Sequence, residues 1–424
     1  MARPDVPVTA TVVRRGRAAA SAAFFAQGFG FAVVLTHLGS FKDRWGIDDL
    51  AVTEIMFVVA LLAAVGSVLA ARLAGRRGSG AALRLGLVGL AIGLLIAALA
   101  PVFAVFCVGI GLYGVALGCV DATTNMQAVA CEALQGRSIL TSFHGAWSAG
   151  GILGALETSG TGSWGWAVAA SVAPVAAVPL AVATAPFLPT RTGGPLEAGA
   201  DPGAGFKASV RVVPWRALSV LGVAIVLFYV ADSATSSWST IYLSDVLLAG
   251  AGVAPLGYAA YQATSLASRL AGDHLVRRFG PVMVVRAAAG IGAVGLLAVV
   301  VSSSAWLAVA GFAVLGIGIA VVAPLTFAAA GRLAAVDAQG NLVTDERVRR
   351  VAADAIVARI NQFNYLGFVL GGVLTGLVAS GSTMREGFVV PLVGICLILP
   401  LARVFAPRRG GRDPMAPPAS GVSA

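Results

Sequence analysis

Four side chains suited to chemistry fall within two largely apolar stretches of this 424-residue chain: Asp121, Asn125, His144 and Trp147. Asp121 and Asn125 are four residues apart, so on an α-helix they share one face. His144 lies about as far past the cytoplasmic turn between its stretch and the preceding one as Asp121 lies before that turn, and Trp147 follows one turn later. A regular helical hairpin would bring the carboxylate, amide, imidazole and indole to similar depth. A carboxylate and an imidazole so placed can hold and pass a proton, while an amide and an indole can hydrogen-bond and stack against a polar organic molecule. The same groups could instead clamp two helices together.

Further candidates are scattered along the chain. Asp232, with Trp238 and Tyr242 after it, falls toward the outer end of its apolar run, where lining a vestibule and capping a helix end stay equally open. Asn361, Asn364 and Tyr365 could hydrogen-bond a polar ligand or a neighbouring helix, and Gln27 is a weaker candidate of the same kind. His37 is expected near the outer surface with its imidazole exposed. Asp273, followed by Arg277, Arg278 and Gly280, is an acid with basic neighbours at a helix end, an arrangement that can pair in one conformation and release in another. Cys107, Cys119, Cys131 and Cys396 show no metal-ligand spacing and read as small apolar fillers. No metal and no cofactor is expected, and no phosphate loop of the G-x-x-x-x-G-K type points to an ATP-driven enzyme.

The elements that must carry these residues are set by composition. Hydrophobic residues make up 58% of the chain and charged residues 11%, against roughly 25% charged in soluble globules. The apolar residues gather in twelve runs, each about as long as the ~20 residues a helix needs to cross a bilayer. The runs are Arg17 to Leu38, Val52 to Ala71, Leu83 to Ala100, Phe103 to Ala128, Ile139 to Leu156, Trp166 to Leu188, Ala217 to Trp238, Pro255 to Ala271, Pro281 to Ser302, Trp306 to Ala330, Ala355 to Ala379 and Gly387 to Phe405. The expected fold class is therefore an all-α membrane protein of twelve transmembrane helices. An ionisable group at membrane depth costs at least ~2.5 kcal/mol even on insertion scales, so Asp121 is a functional candidate by default.

The net charge of +10 sits in alternate loops rather than on one face, which argues against nucleic acid. Of the 29 Lys and Arg residues, all but Lys42, Arg44 and Arg385 lie on one side if both termini are cytoplasmic, and this bias sets the orientation. Trp45, Trp164, Trp166, Trp215, Trp238 and Trp306 fall near run ends, at the expected headgroup level. The first run follows Arg14, Arg15 and Arg17 and is long enough to remain as an anchor rather than a cleaved signal.

A Gly-, Pro- and Ala-rich stretch at 189–214 separates six runs from six, giving bundles at 1–188 and 215–406, a cytoplasmic linker between them and a disordered tail at 407–424. Arg72-Leu73-Ala74-Gly75 recurs as Arg269-Leu270-Ala271-Gly272, and Gly150-Gly151-Ile152-Leu153 resembles Gly371-Gly372-Val373-Leu374. Parallel repeats of this kind place a solute site at their interface near the bilayer midplane. The stretch Gly331 to Asp354 reads as a solvated loop or short surface helix.

Gly118-Cys119-Val120-Asp121-Ala122-Thr123-Thr124-Asn125, then Gly136-Arg137, Phe143-His144 and Gly150-Gly151, resembles the span-four to span-five signature of the fucose-permease-like branch of the major facilitator superfamily. The resemblance implies the major facilitator fold, with Asp121 as the span-four acid of proton coupling, Asn125 one turn on, and Asp273 with the following arginines as a cytoplasmic gate. Leu35 stands where true fucose permeases carry a span-one acid, and His37 replaces an arginine of related sequences, so fucose itself is not expected. Gly75 precedes Arg76-Arg77 without the usual acid, which leaves the inner gate to the second half.

These readings lead to a secondary transporter of the cytoplasmic membrane that moves a small organic solute by alternating access, coupled to protons through Asp121 and His144. Gln27, Asn125, Trp147, Asp232, Asn361, Asn364 and Tyr365 are the candidate solute contacts. The expected partners are a small-molecule solute, protons and the lipid bilayer, with no nucleic acid, and the chain is expected to be a monomer. Import of a sugar-like solute and efflux of a drug or natural product stay open, and a non-transporting membrane receptor or scaffold is the reading from another class.

Overall fold

The computed structural model describes residues 10–135, 139–188, 215–333 and 346–406. Within them the chain crosses the bilayer in twelve helical spans forming two six-helix bundles. Spans one to six are Ala10–Thr36, Asp49–Arg77, Ser79–Leu99, Phe103–Gln135, Leu140–Ser163, and the pair Val168–Val175 with Ala177–Ala183. Spans seven to twelve are Trp215–Ile241, Leu256–Phe279, Pro281–Val301, the pair Ala305–Ile319 with Val322–Leu333, Glu346–Gly381, and Met384–Gly387 continued by Val389–Leu401.

Each break within a span has a proline just beyond it. Pro179, Pro324 and Pro391 stand four residues after Val175, Ala320 and Gly387, where the ring removes a backbone donor and crowds that carbonyl. Among the described residues nine helices are long and apolar enough to span a membrane by themselves. Spans five, six and eight fall short. Span six is divided by its prolines, and spans five and eight carry polar groups because they face each other across the seam between the bundles.

Close helix contacts repeat in the two halves. A Cβ on Gly150 of span five would overlap the Phe25 carbonyl of span one, and one on Gly371 of span eleven would overlap the Val230 carbonyl of span seven. The two sequence repeats thus serve one purpose, letting the fifth helix of each bundle touch its first.

Several details differ from the sequence reading. Span eleven starts at Glu346 rather than Ala355, because the charged stretch before it continues the helix. The turn-like segment before Asp345, the linker 189–214 and the tail lie outside the described residues. Trp238 is not at a headgroup boundary: it is fully buried, and its Nε1 donates to the Gly372 carbonyl at 2.8 Å. His37 is not exposed either; its imidazole is 4% accessible and packed between spans one, five and six. Trp164, Trp166 and Trp306 do project at helix ends.

On the side opposite the basic loops, a short helix, Leu38–Trp45, continues span one. Gly46 ends it at φ 60°, a left-handed conformation that costs little without a Cβ. Asp48 then caps span two by accepting from the Ala51 N–H at 2.8 Å. This tight reversal brings Lys42 to Asp49 at 2.6 Å, while a wider π-type turn at Tyr242–Val246 ends span seven and carries Asp245 to the same ammonium, also at 2.6 Å.

Candidate functional site between the bundles

The outer end of the seam is closed. Lys42 of the first bundle bridges to Asp245 of the second, and the Ser159 hydroxyl of span five donates to the Gly252 carbonyl between spans seven and eight. A Cβ on Gly162 would stand 2.6 Å from the Ala251 carbonyl oxygen, so the two backbones meet with no side chain between them. Leu35, Leu38 and Val52 of the first bundle pack into the core of the second.

Deeper in, the candidate residues separate into groups. Asp121 Oδ1 accepts from Gln27 Nε2 at 3.0 Å, tying span four to span one. The Gln27 amide oxygen is buried and, among the described residues, has no hydrogen-bond partner. Asn125 shares the Asp121 face, yet its amide donates to the Asp121 backbone carbonyl at 2.9 Å rather than to the carboxylate. His144 does not hydrogen-bond to Asp121; it stands edge-on to Phe24, with centroids 5.4 Å apart. The carboxylate–imidazole pair expected from the hairpin is therefore absent from this conformation, because adjacency along a hairpin fixes depth but not rotation about each helix axis.

Trp147 lies against Phe31 at 5.9 Å, and Phe31 in turn meets Phe368 of span eleven at 6.4 Å, an aromatic contact between the bundles. Asp232 is half-buried inside the protein rather than at a helix end, and it accepts a hydrogen bond from the Tyr261 hydroxyl of span eight. Asn364 is buried and Tyr365 exposed, while the side chains of Asn361 and Asp273 lie outside the described set. Arg277 and Arg278 are exposed in the last, inner turn of span eight, with Arg278 over the Phe279 ring at 5.3 Å.

Sequence reading missed the span-eight face. Tyr258 and Gln262 are both buried and joined by a 2.9 Å hydrogen bond, and a Cβ on Gly151 of span five would come within 3.3 Å of Gln262 Nε2. The Tyr258, Tyr261, Gln262 spacing at one helical turn was the available signal. Arg269, read only as part of a repeat, is the cation whose charge acts on Asp232, His144 and Tyr229; Tyr229 also feels Asp121. The carboxylates of Asp121 and Asp232 thus belong to one electrostatic neighbourhood shared by both bundles. Chemically, the cleft offers two carboxylates, a guanidinium, amides, phenols and aromatic faces, and among the described residues no grouping of His, Cys, Asp and Glu suited to a metal ion.

A twelve-span protein with two bundles, a closed seam at one end and polar groups gathered along that seam is a membrane transporter rather than an enzyme. The profile of the Major Facilitator Superfamily matches residues 18–344, and the chain belongs to that superfamily. It is accordingly a multi-pass protein of the plasma membrane. The chain is 29% identical over 313 residues to an uncharacterised transporter, y4wD, of Sinorhizobium fredii, covering 72% of this chain and 76% of that one. An uncharacterised MFS-type transporter of Yersinia pestis is 26% identical over 370 residues, 86% of this chain and 89% of that protein. Among solved structures, the nucleoside transporter NupG (D323A mutant) superposes with TM-score 0.68 at 16% identity, over 92% of this chain and 98% of that one. A bacterial homologue of the lysosomal transporter Spinster, inward-facing and unoccupied, gives 0.71 at 13% identity over 94% and 98%. The fucose permease FucP in its outward conformation gives 0.57 at 16% identity over 92% and 98%. At these identities the superpositions speak for the fold.

Proposed function

We propose that this protein is a proton-coupled carrier of a small polar organic solute, in which Asp121 exchanges the coupling proton as the cleft between the bundles opens to alternate sides. The observation that carries this reading is the Asp121–Gln27 pair: a carboxylate at membrane depth with one neutral donor and, beside it, a buried amide oxygen left without a partner. Protonating Asp121 removes the cost of its charge, and a solute hydroxyl or amine donating to Gln27 Oε1 satisfies the orphaned acceptor. Gln27, Asn125, Trp147, Asp232, Asn361, Asn364 and Tyr365 would line the solute path, joined by Tyr258, Tyr261, Gln262 and Arg269. Asp273, Arg277 and Arg278 would close the cytoplasmic end, and His144, held on Phe24, would modulate the proton step from the neighbouring span five. The carrier acts as a monomer in this reading, each chain having its own cleft.

The branch resemblance favours a sugar-like solute, and the likeness to the nucleoside transporter NupG adds nucleosides to the solutes worth testing. Efflux of a larger apolar solute is the alternative, supported by the aromatic contact of Phe31 with Trp147 and Phe368. A thermal-shift screen of purified protein against sugars, nucleosides, polyols and hydrophobic drugs identifies the solute, since binding stabilises the folded state. With the solute in hand, Asp121→Asn in proteoliposomes should abolish accumulation driven by a pH gradient while preserving solute exchange. Accumulation equal to the parent's would make Asp121 a helix clamp.

A further inference from the structure

A second pair of titratable groups, a buried imidazole and a half-buried carboxylate, lies in the outer half of the first bundle, apart from the cleft residues above. His37 at the junction of span one with the short helix after it, Glu157 of span five and Ser171 of span six are joined through one hydroxyl. Ser171 Oγ stands 3.0 Å from His37 Nε2, 3.0 Å from Glu157 Oε1 and 2.8 Å from Thr161 Oγ1. The other imidazole nitrogen, Nδ1, is 2.9 Å from the Val33 carbonyl oxygen, which only accepts, so Nδ1 carries a proton.

Each of the three contacts at Ser171 needs one proton between its two heavy atoms, and the serine hydroxyl supplies one. The Thr161 hydroxyl can supply a second, but only by giving up its 2.9 Å bond to the Glu157 carbonyl. The third must come from Nε2 of His37 or from the Glu157 carboxyl. With a neutral Nδ1–H imidazole and an ionised carboxylate, two acceptor lone pairs would face one another at the buried Ser171 hydroxyl, an arrangement that costs free energy.

We propose that His37, Ser171 and Glu157 form a second proton-binding site that always holds at least one proton and accepts another. The proton passes between imidazole and carboxyl through the Ser171 hydroxyl, as imidazolium with carboxylate or as imidazole with carboxylic acid. When Thr161 keeps its backbone bond, the site takes the second proton on the remaining partner. This inference deepens the proton-coupled reading and rests on it for its role in transport. Thr158 connects the site to the seam: it contacts His37 Nδ1 at 3.1 Å and Thr36 at 2.8 Å, and the next residue, Ser159, makes the cross-bundle bond to Gly252. Proton occupancy is thereby felt where the outer end closes.

Few other charges compete. Span six has no titratable residue between Val168 and Ala183. Tyr258 of span eight packs on Ala32 and Ala155, one turn inward, with Tyr261 committed to Asp232 and Arg269 deeper in the cleft. Tyr113 of span four packs in the same cluster as Val33, Val34 and Phe41. On the helix after His37, Lys42 is held by Asp49 and Asp245, Arg44 binds the Ala98 and Ala100 carbonyls, and Asp43 is exposed.

The test follows protonation directly and needs no solute. Full-length protein with 15N-labelled histidine and 13C-carboxyl-labelled glutamate is placed in nanodiscs of phosphatidylcholine and phosphatidylglycerol and titrated. The His37 signal is identified by its loss in His37→Gln, and the Glu157 carbonyl band by its loss in Glu157→Gln. In the parent, neutral His37 should coincide with protonated Glu157. Glu157→Gln should displace the His37 titration midpoint by about one pH unit or more, the mark of coupled groups, and Ser171→Ala should remove that displacement. Neutral His37 together with ionised Glu157 in the parent would overturn the site, as would a midpoint indifferent to Glu157→Gln. Because Asp121→Asn leaves these spectra unchanged if the two sites are separate, failure here is distinguishable from failure of coupling at Asp121.

Discussion

Replacing Lys42 by Met tests whether the outer ion bridge holds the seam closed. Lys42 is 19% accessible and binds Asp49 and Asp245, which are 21% and 36% accessible, each at 2.6 Å. Solvent screening at such partly open sites limits each pair to about 0.5–1 kcal/mol. Only the Asp245 pair crosses between the bundles, so only that share biases opening; Asp49 belongs to the same bundle as Lys42. Removing the ammonium also leaves two carboxylates facing one another, which pushes in the same direction. The closed-to-open ratio should therefore fall by about fivefold, the equivalent of ~1 kcal/mol. Spin labels at Gly160→Cys and Gly250→Cys report it, since these positions flank the seam on opposite bundles and a Cβ at either meets nothing within 4 Å. The long-distance population should rise in Lys42→Met and stay unchanged in Arg44→Met, whose guanidinium binds the Ala98 and Ala100 carbonyls of its own bundle at 2.8 and 2.7 Å. Burial draws the Lys42 ammonium down, but hydrogen bonds and charge from Asp245 and Asp49 outweigh it and hold the group above its ordinary value of 10.5. The lysine's contribution to the latch is then fully present below that ordinary value and is lost as pH rises through the higher folded value. Identical distance distributions in parent and Lys42→Met, or equal opening in Arg44→Met, would refute this reasoning.

Other substitutions probe separate parts of the structure. Trp238→Phe leaves the Gly372 carbonyl without its indole donor inside the protein and should lower stability by about 1–3 kcal/mol, read as a lower melting temperature in detergent; an unchanged melt would mean that water or a rotated neighbour replaces the bond. Gly150→Ala forces a methyl group onto the Phe25 carbonyl and should cost about 1–3 kcal/mol by separating spans one and five, whereas Gly160→Ala, which meets nothing within 4 Å, should melt like the parent. Asp273→Asn should raise labelling of cysteines introduced in the inner cleft by a cytoplasmic thiol reagent, and equal labelling would remove Asp273 from the gate.

Much of the architecture was legible because the bilayer imposes it. Long apolar runs must be helices in lipid, since no water is present to satisfy an open backbone, and the bias of arginines to alternate loops sets which end faces the cytoplasm. The paired Gly150-Gly151 and Gly371-Gly372 repeats disclosed the duplication, because close helix packing demands small residues at fixed places. The depth of Asp121 was likewise readable from its position along one helix. Rotation and partnership were not. Whether His144 turns toward Asp121 or toward Phe24, whether Asp232 ends a helix or meets Tyr261, and whether His37 is exposed at the outer surface or turned to Ser171 depends on how each helix is turned against neighbours distant in sequence. Gln27 and Asp121 are 94 residues apart, and Lys42 and Asp245 are 203 apart; no local period encodes such pairings. The sequence determined the membrane, the spans and the acids worth watching, while the choice of partner for each buried polar group was made only when the bundles packed, because an apolar surround makes every donor and acceptor find its match among whatever side chains the fold brings near.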